Sequence, residues 1–236
     1  MTAPTQAPAR AHAKSGDWAL RLTEFNLHVV RFAHRSWYCD GPCGRALGAA
    51  LFDEDGNVNS RVESQVSAWL IQDLGLHEEE DWQMSEVQKR IWLLDTPALA
   101  RLSQELALAM HRDWLVRMVD GARVRSLQAK VGNGALRFVV EEVPQGSFHY
   151  SAPIATFETG TSEELITRLR QAGACSLMAL LQPAWRAVRG RAALHFERSW
   201  GLDNVPPFDA EQCKRALELI CGRLIPRRFP EWAWLF

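Results

Sequence analysis

The sequence predicts a mainly α-helical protein, a compact, wedge-like bundle of several helices with little or no β-structure. Apolar residues recur at steps of three and four over most of the chain, which is the helical period. Residues that favour helix starts precede many of these segments. The stretch near 147–158, flanked by prolines and glycines, is the exception, and there we expect a short extended piece.

The chain divides into a tail and a helical domain. Residues 1–16 are rich in Ala, Pro and Thr and hold too few apolar side chains to offset the entropy of ordering, so we predict a disordered tail. Residues 17–236 are predicted to form the helical domain. The loop before residue 160 leaves open a division of this domain into two lobes, 17–143 and 160–236.

Two segments precede the central part of the chain. From Asp17 to Trp37, aromatic and apolar residues follow a helix-like period, which fits either a helix or an irregular segment pinned by its aromatics. Ser60 with Glu63 fits a capping box and predicts a helix that ends at Gly75.

The leucine-rich stretch from Thr96 to Gly121 is predicted to be the central helix. Thr96 fits the N-cap, Pro97 fits the first turn, and Gly121 fits the left-handed end of a helix. Gln104 and Glu105 fall mostly outside the apolar face. That face comprises Leu99, Leu102, Leu106, Ala109, Met110 and Val116.

Further helices follow. Ala122–Val131 is predicted to be helical up to a glycine, and for Asn133–Val143 we favour a helix over a strand. Thr161 and Glu164 form a second capping box, and Gly173 weakens the helix that they open, so it marks a break.

The last helix is expected to begin at Asp209 and to end at Pro226. Four aromatic residues follow it. They either fold back over the core or form an apolar handle for a partner. They are Phe229, Trp232, Trp234 and Phe236.

No familiar catalytic, cofactor or metal motif is present, so we predict no catalytic residue, no cofactor and no metal. Cys39 and Cys43 lack the second ligand pair of a zinc site, and the acidic turn from Asp53 lacks the glycine and glutamate of a calcium loop. An enzyme with an unrecognised site around His28, His34 and Cys39 stays open as an alternative.

The charges indicate protein partners. The net charge is −1, which gives the whole chain no attraction to nucleic acid or anionic lipid. A basic cluster in the segment after Pro183 forms either a solvated helix face or a face for an acidic protein partner. A nucleic-acid-binding regulator is a further alternative because Trp185 and Trp200 are interleaved with the cluster. An acidic run forms either a solvated loop or a docking patch. The candidate interface residues are Arg186, Arg189, Arg191, Glu78, Glu79, Glu80, Trp232 and Trp234.

Three stretches together resemble the K subunit of the bacterial type III secretion sorting platform (the SctK family). They are Phe32–Trp37, with its aromatic-x-His-x-Ser-Trp pattern, the block Ile91–Phe138, and the later capped helix that leads to Arg191–Trp200. The resemblance covers roughly Trp18 to Trp200, and Arg35 stands where we expect a proline.

The resemblance implies a cytoplasmic, non-enzymatic adaptor that binds no nucleic acid, does not insert into the membrane and is held at the inner membrane by proteins. Its implied partners are the cytoplasmic domain of the inner-membrane ring protein (the D subunit) and the Q subunit of the sorting platform. The L subunit and the ATPase lie further along that chain. The resemblance assigns no contact residues.

Overall fold

The computed structural model describes residues 9–39, 46–47, 49–51, 59–77, 80–144 and 161–236, which form helices and turns without a β-strand. The predicted mainly α-helical fold is confirmed. The extended piece expected near 147–158 lies outside the described residues. The α-helices are α1 (Ala9–Leu27), α2 (Ser60–Asp73), α3 (Val87–Arg90), α4 (Thr96–Met110), α5 (Arg112–Val116), α6 (Gly121–Val131), α7 (Asn133–Glu142), α8 (Ser162–Ala179), α9 (Arg186–Leu194), α10 (Ala210–Leu219) and α11 (Ile225–Arg228).

Short turns link several of these helices. A π-helical turn joins α10 to α11 at Ile220–Leu224. The 3₁₀ turns are Val29–Arg31, Arg35–Trp37, Ile91–Leu93, Arg198–Trp200, Leu202–Asn204 and Pro230–Leu235.

The first helix, α1, begins at Ala9, inside the range 1–16 for which we expected a tail. Residues 1–8 lie outside the described part of the chain, so the tail itself stays a prediction. The helix ends at Leu27, and the 3₁₀ turns that follow give the segment up to Trp37 a mixed helical and irregular course.

The central helix, α4, is buried on nearly every side. All residues from Leu102 to Met110 are buried, including Gln104 and Glu105, which we expected away from the apolar face. Gln104 accepts a hydrogen bond from Arg170 Nε at 3.2 Å. The carboxylate of Glu105 accepts two from Arg228, at 2.8 and 2.9 Å. The burial of Glu105 is tolerated because this charge is paired and hydrogen-bonded.

The prediction of one continuous helix to Gly121 is wrong. The backbone leaves the α-helical geometry at His111, where φ is −103° and ψ is 25°, and the short helix α5 follows. Gly121 begins α6 instead of ending α4, because the side chain of Asp120 caps the new helix. The helix α6 ends before Gly132, as expected, and the helical prediction for α7 is confirmed.

Two of the predicted helix starts are displaced by one residue. Asp95, not Thr96, caps α4, and Asn59, not Ser60, caps α2, because in each case the preceding side chain accepts the hydrogen bond from a first-turn N–H. The capping box of Thr161 at the start of α8 is confirmed.

The prediction that Pro226 ends the last helix is also wrong. Asp209 caps α10 as expected, and the helical path then continues through the π-helical turn into α11 as far as Arg228. In a regular α-helix the proline ring clashes with the carbonyl four residues earlier. The π-helical turn ends at Leu224, two residues before Pro226, and its wider geometry accommodates the ring.

Helices α4 and α8 form the most extensive contact between described elements. Gly173 lies where they cross: a Cβ atom at this position would overlap the backbone carbonyl of Ser103. Helix α8 is unbroken through Gly173, so the expected break is wrong, and the glycine instead allows two helix backbones to approach closely.

The main hydrophobic core contains residues from both ranges on either side of the undescribed loop, including Leu102 of α4 and Leu177 of α8. A smaller cluster joins the first 3₁₀ turn, α2 and the end of α9; its buried members include Val30, Val66 and Leu194. Within the described ranges, no helix is both long enough and apolar enough to cross a membrane.

Candidate protein-interaction surfaces

The structure separates the three candidate arginines of α9. Arg191 is 1% exposed, and its Nη2 donates a hydrogen bond to the carbonyl of Leu76 at 3.0 Å. Arg186 is exposed at the first position of the helix. Arg191 therefore points into the protein, where a partner cannot contact it, whereas Arg186 remains accessible on the surface.

The guanidinium of Arg189 connects α8 to the turn after α9. It donates to the carbonyls of Met178 and Leu181 at 3.2 and 2.8 Å, and to those of Asp203 and Val205 at 3.3 and 2.7 Å. Burial away from solvent lowers the pKa of Arg189. Arg189 thus donates its guanidinium hydrogen bonds within the fold and stabilises it. The spacing of the arginines in the sequence does not indicate this role.

A groove of about 650 Å³ runs beside α9, and we call it the basic groove. Its charged lining residues are Arg186, Arg189, Arg198 and Asp203, and its apolar lining includes Trp37, Leu74, Leu76, Ala193 and Val205. Three arginines against one aspartate give the groove a positive charge in a chain whose net charge is −1.

The exposed Arg198 is held at the edge of this groove. Its guanidinium carbon lies 5.3 Å from the centre of the Trp37 ring, which is a cation–π distance. Its backbone N–H donates to Ser36 Oγ at 2.9 Å, and Trp37 Nε1 donates to the carbonyl of Phe196 at 2.8 Å. The Phe32–Trp37 segment thus positions an arginine that is distant in sequence.

The two tryptophans that are interleaved with the basic cluster, Trp185 and Trp200, are in contact with other residues of the fold. The ammonium of Lys89 lies 4.6 Å from the centre of the Trp185 ring. The ring of Trp200 stacks on Phe196 with centroids 5.7 Å apart. Neither of these two tryptophans lines the basic groove, so they do not form a base-stacking platform beside its arginines.

Part of the acidic run lies outside the residues that the structure describes. Glu78 and Glu79 are among the residues that are not described. Glu80 is exposed and accepts a hydrogen bond from Trp82 Nε1 at 2.7 Å. The ring of Trp82 is 44% exposed, so this end of the run presents an apolar surface beside a carboxylate.

The C-terminal aromatic residues fold back over the core. Phe229 and Trp232 are buried, whereas Trp234 is half-buried and stacks on Trp232 with ring centroids 6.4 Å apart. The guanidinium carbon of Arg21 lies 5.1 Å from the centre of the Trp232 ring. Trp232 is therefore mainly a core residue, and Trp234 keeps part of its surface accessible.

Beside this pair lies a second groove of about 480 Å³, which we call the C-terminal groove. It shares no lining residue with the basic groove. Its charged lining residues are Asp17, Arg21, Asp95, Arg101 and Glu231. The guanidinium of Arg101 lies over the Phe229 ring at 4.0 Å and also pairs with buried Glu105, and the lining contains three carboxylates against two arginines.

A family profile described as YOP proteins translocation protein K (YscK) matches residues 36–233. The chain belongs to this family. The YscK family is the SctK family of type III secretion, so the prediction from the resemblance is confirmed. The matched range includes both Trp37 of the basic groove and Trp232 of the C-terminal groove. No match was found among curated proteins or among solved structures.

The YscK family is a family of secretion-system proteins and not a known enzyme family. The histidines of the alternative enzyme site have separate partners: His28 Nδ1 lies 2.7 Å from Glu63 Oε1, and His34 Nδ1 lies 2.9 Å from Ser36 Oγ. Among the described side chains, no three of His, Cys, Asp or Glu gather as metal ligands would. Cys43 and the acidic turn from Asp53 fall outside the description.

The sequence contained part of the signal for the basic groove. Arg198 belonged to the basic cluster and Trp37 to the segment that resembles the family, but their contact spans distant parts of the chain. Leu74 and Val205 gave no signal at all. Only the folded chain brings them together with the arginines.

Proposed function

We propose that this member of the YscK family is a non-enzymatic adaptor of the type III secretion sorting platform. It links the cytoplasmic domain of the inner-membrane ring protein, the D subunit, to the Q subunit, and through it to the L subunit and the ATPase. It acts at the cytoplasmic face of the inner membrane through these protein partners, and it needs no cofactor.

The observation that carries this proposal is the family match over residues 36–233, which makes the chain a type III secretion protein. The geometry supports a linking role because the basic and C-terminal grooves share no lining residue and differ in charge. Two partners of different chemistry can therefore be recognised by different parts of one rigid helical body.

Reconstitution tests the adaptor role. We expect the purified chain to bind the purified ring-protein domain and the Q subunit of the same bacterium separately, and to form one complex with both in size-exclusion chromatography. Mixing the two partners without this chain is the control and should give no such complex. Failure of the chain to bind either partner would contradict the proposal.

A further inference from the structure

We propose that the basic groove binds an acidic segment of a partner protein, with carboxylates on Arg186 and Arg198 and an apolar side chain on the groove floor. This inference rests on the proposed adaptor function for the nature of the occupant. It adds the surface that is used and the chemistry of the segment that fits it.

The charge of the groove favours an anionic segment. Arg186 and Arg198 are both exposed at the edge, and Arg189 contributes a third positive charge from within the lining. The hydrogen bonds of Arg189 go to neutral carbonyl groups, and the nearby Asp203 carboxylate offsets its charge only in part, because burial still lowers the pKa of Arg189 overall. A carboxylate near this charge would gain more than one in open solvent, because the burial of Arg189 reduces screening by water.

The position of Arg198 is already set in the free protein. The Trp37 ring holds the guanidinium at the groove edge, and the hydrogen bond that the Arg198 N–H donates to Ser36 Oγ holds the backbone there. Less side-chain entropy is therefore lost when a carboxylate binds. A guanidinium also presents paired donors that match a carboxylate.

The floor of the groove accounts for the apolar part of the segment. Trp37, Leu74 and Val205 are half-buried, so each keeps apolar surface in contact with solvent. Gly190 allows Leu76 to pack closely against α9 in the floor, since a Cβ atom there would lie 2.6 Å from Leu76 Cδ2. The groove volume of about 650 Å³ falls within the range of ligand-binding pockets. The groove therefore has room for an apolar side chain on its floor while carboxylates bind at its edge.

A nucleic acid fits this groove less well than an acidic peptide. Asp203 lies among the lining residues and would repel a phosphate backbone that follows the groove, whereas a peptide can place an apolar or neutral residue beside it. Trp185 and Trp200 do not line the groove, and Lys89 and Phe196 already contact their rings, so these two tryptophans provide no stacking surface within the groove.

Fluorescence anisotropy with the full chain tests the charge component. The probe is a short fluorescein-labelled peptide of glutamate and leucine, with a glutamine–leucine peptide and a single-stranded DNA as comparison probes. We expect the glutamate peptide to bind best and to weaken as salt is raised. The double variant Arg186→Glu/Arg198→Glu should lose about tenfold or more in affinity, since two attractive pairs become repulsive.

The matched control is Arg137→Glu/Arg215→Glu, which changes the net charge equally on α7 and α10. Both arginines are exposed and form only surface ion pairs, with Glu141 and Glu211. This variant should bind the glutamate peptide like the wild type. Equal losses in the two double variants, or tighter binding of the DNA than of the peptide, would overturn the proposal.

A third variant tests the floor. Val205→Lys adds positive charge while it removes apolar surface, and the backbone carbonyl that accepts from Arg189 is retained. We expect weaker peptide binding. Stronger binding would show that charge alone acts and would overturn the apolar part of the proposal. If the glutamate peptide fails to bind wild type while the reconstituted complex still forms, the groove inference is wrong and the adaptor function stands.

Discussion

His195 is a buried base at the contact between the first 3₁₀ turn and α9. Its ring stacks on Phe32 with centroids 4.2 Å apart, and Trp92 lies beside it. Within the described part of the chain neither ring nitrogen has a hydrogen-bond partner, and burial lowers the pKa of His195 to about 3. Burial likewise lowers the pKa of His111, at the end of α4, to about 4.

These two histidines predict a loss of stability in mild acid. The unfolded chain takes up protons on both rings as the pH falls through about 6.5, whereas the folded chain does not until about pH 4 for His111 and about pH 3 for His195. From pH 7 to pH 5, the free energy of unfolding should fall by about 2 kcal/mol for each histidine. Urea unfolding at the two pH values measures this change.

The variant His195→Leu isolates one of the two contributions. It keeps an apolar side chain in the site and removes the ring that titrates in the unfolded state. The decrease in unfolding free energy between pH 7 and pH 5 should become smaller by about 2 kcal/mol. A decrease identical to that of the wild type would show that His195 does not contribute.

Helices α4 and α8 form the most extensive contact between described elements, and their close approach at Gly173 leads us to expect that alanine destabilises this helix. Gly173→Ala would place a methyl group against the backbone of Ser103. Overpacking costs about 1–3 kcal/mol, and since backbone must move, this cost should exceed the gain of about 1 kcal/mol in helix propensity. We expect a net loss of unfolding free energy, measured in urea.

Gly222→Ala is the matched control. Gly222 is exposed in the π-helical turn, and no atom lies within 4 Å of the position of an added Cβ atom. Here alanine should be neutral or should stabilise the protein by up to about 1 kcal/mol, because it restricts the unfolded chain. Equal effects of the two substitutions would contradict the close approach at Gly173.

Local signals in the sequence predicted much of this helical layout. The capping box at Thr161 and the glycine at position 132 each mark a boundary through the residue itself and its near neighbours. The interruption at His111 had no such signal, because it is followed at once by another short helix. Apolar periodicity could not distinguish these two helices from one long helix.

Local sequence patterns could not predict where the polar residues of the core and the grooves are placed. Glu105 has the spacing of a surface residue, and it is buried because Arg228, from the last helix, pairs with it. Arg189 and Arg191 have the spacing of a solvated cluster, yet both donate to backbone carbonyls. Such placements depend on contacts between residues far apart in sequence, and periodicity carries no information about them.

At the scale of the whole molecule, the C-terminal segment that follows α11 packs back against earlier parts of the fold. Trp232 lies under Arg21 of α1, and Arg90 donates a hydrogen bond to the carbonyl of Leu235 at 3.5 Å. Arg101 of α4 donates to the carbonyl of Arg228, the last residue of α11, and its guanidinium lies over the ring of Phe229, the first residue after that helix. The end of the chain thus connects the first helix to the central one.

This arrangement assigns different roles to two neighbouring tryptophans. Trp232→Ala removes a large buried side chain, so the free energy of unfolding should fall by about 3 kcal/mol. Hydrogen exchange should then increase in the part of α1 around Arg21, which loses its aromatic contact. Trp234→Ala removes a half-buried ring, and the loss should be smaller. If the two variants were equally destabilised, Trp234 would belong to the core. If Trp234→Ala instead keeps the wild-type exchange pattern in α1 and weakens one partner in reconstitution, the C-terminal groove is a contact surface of the adaptor.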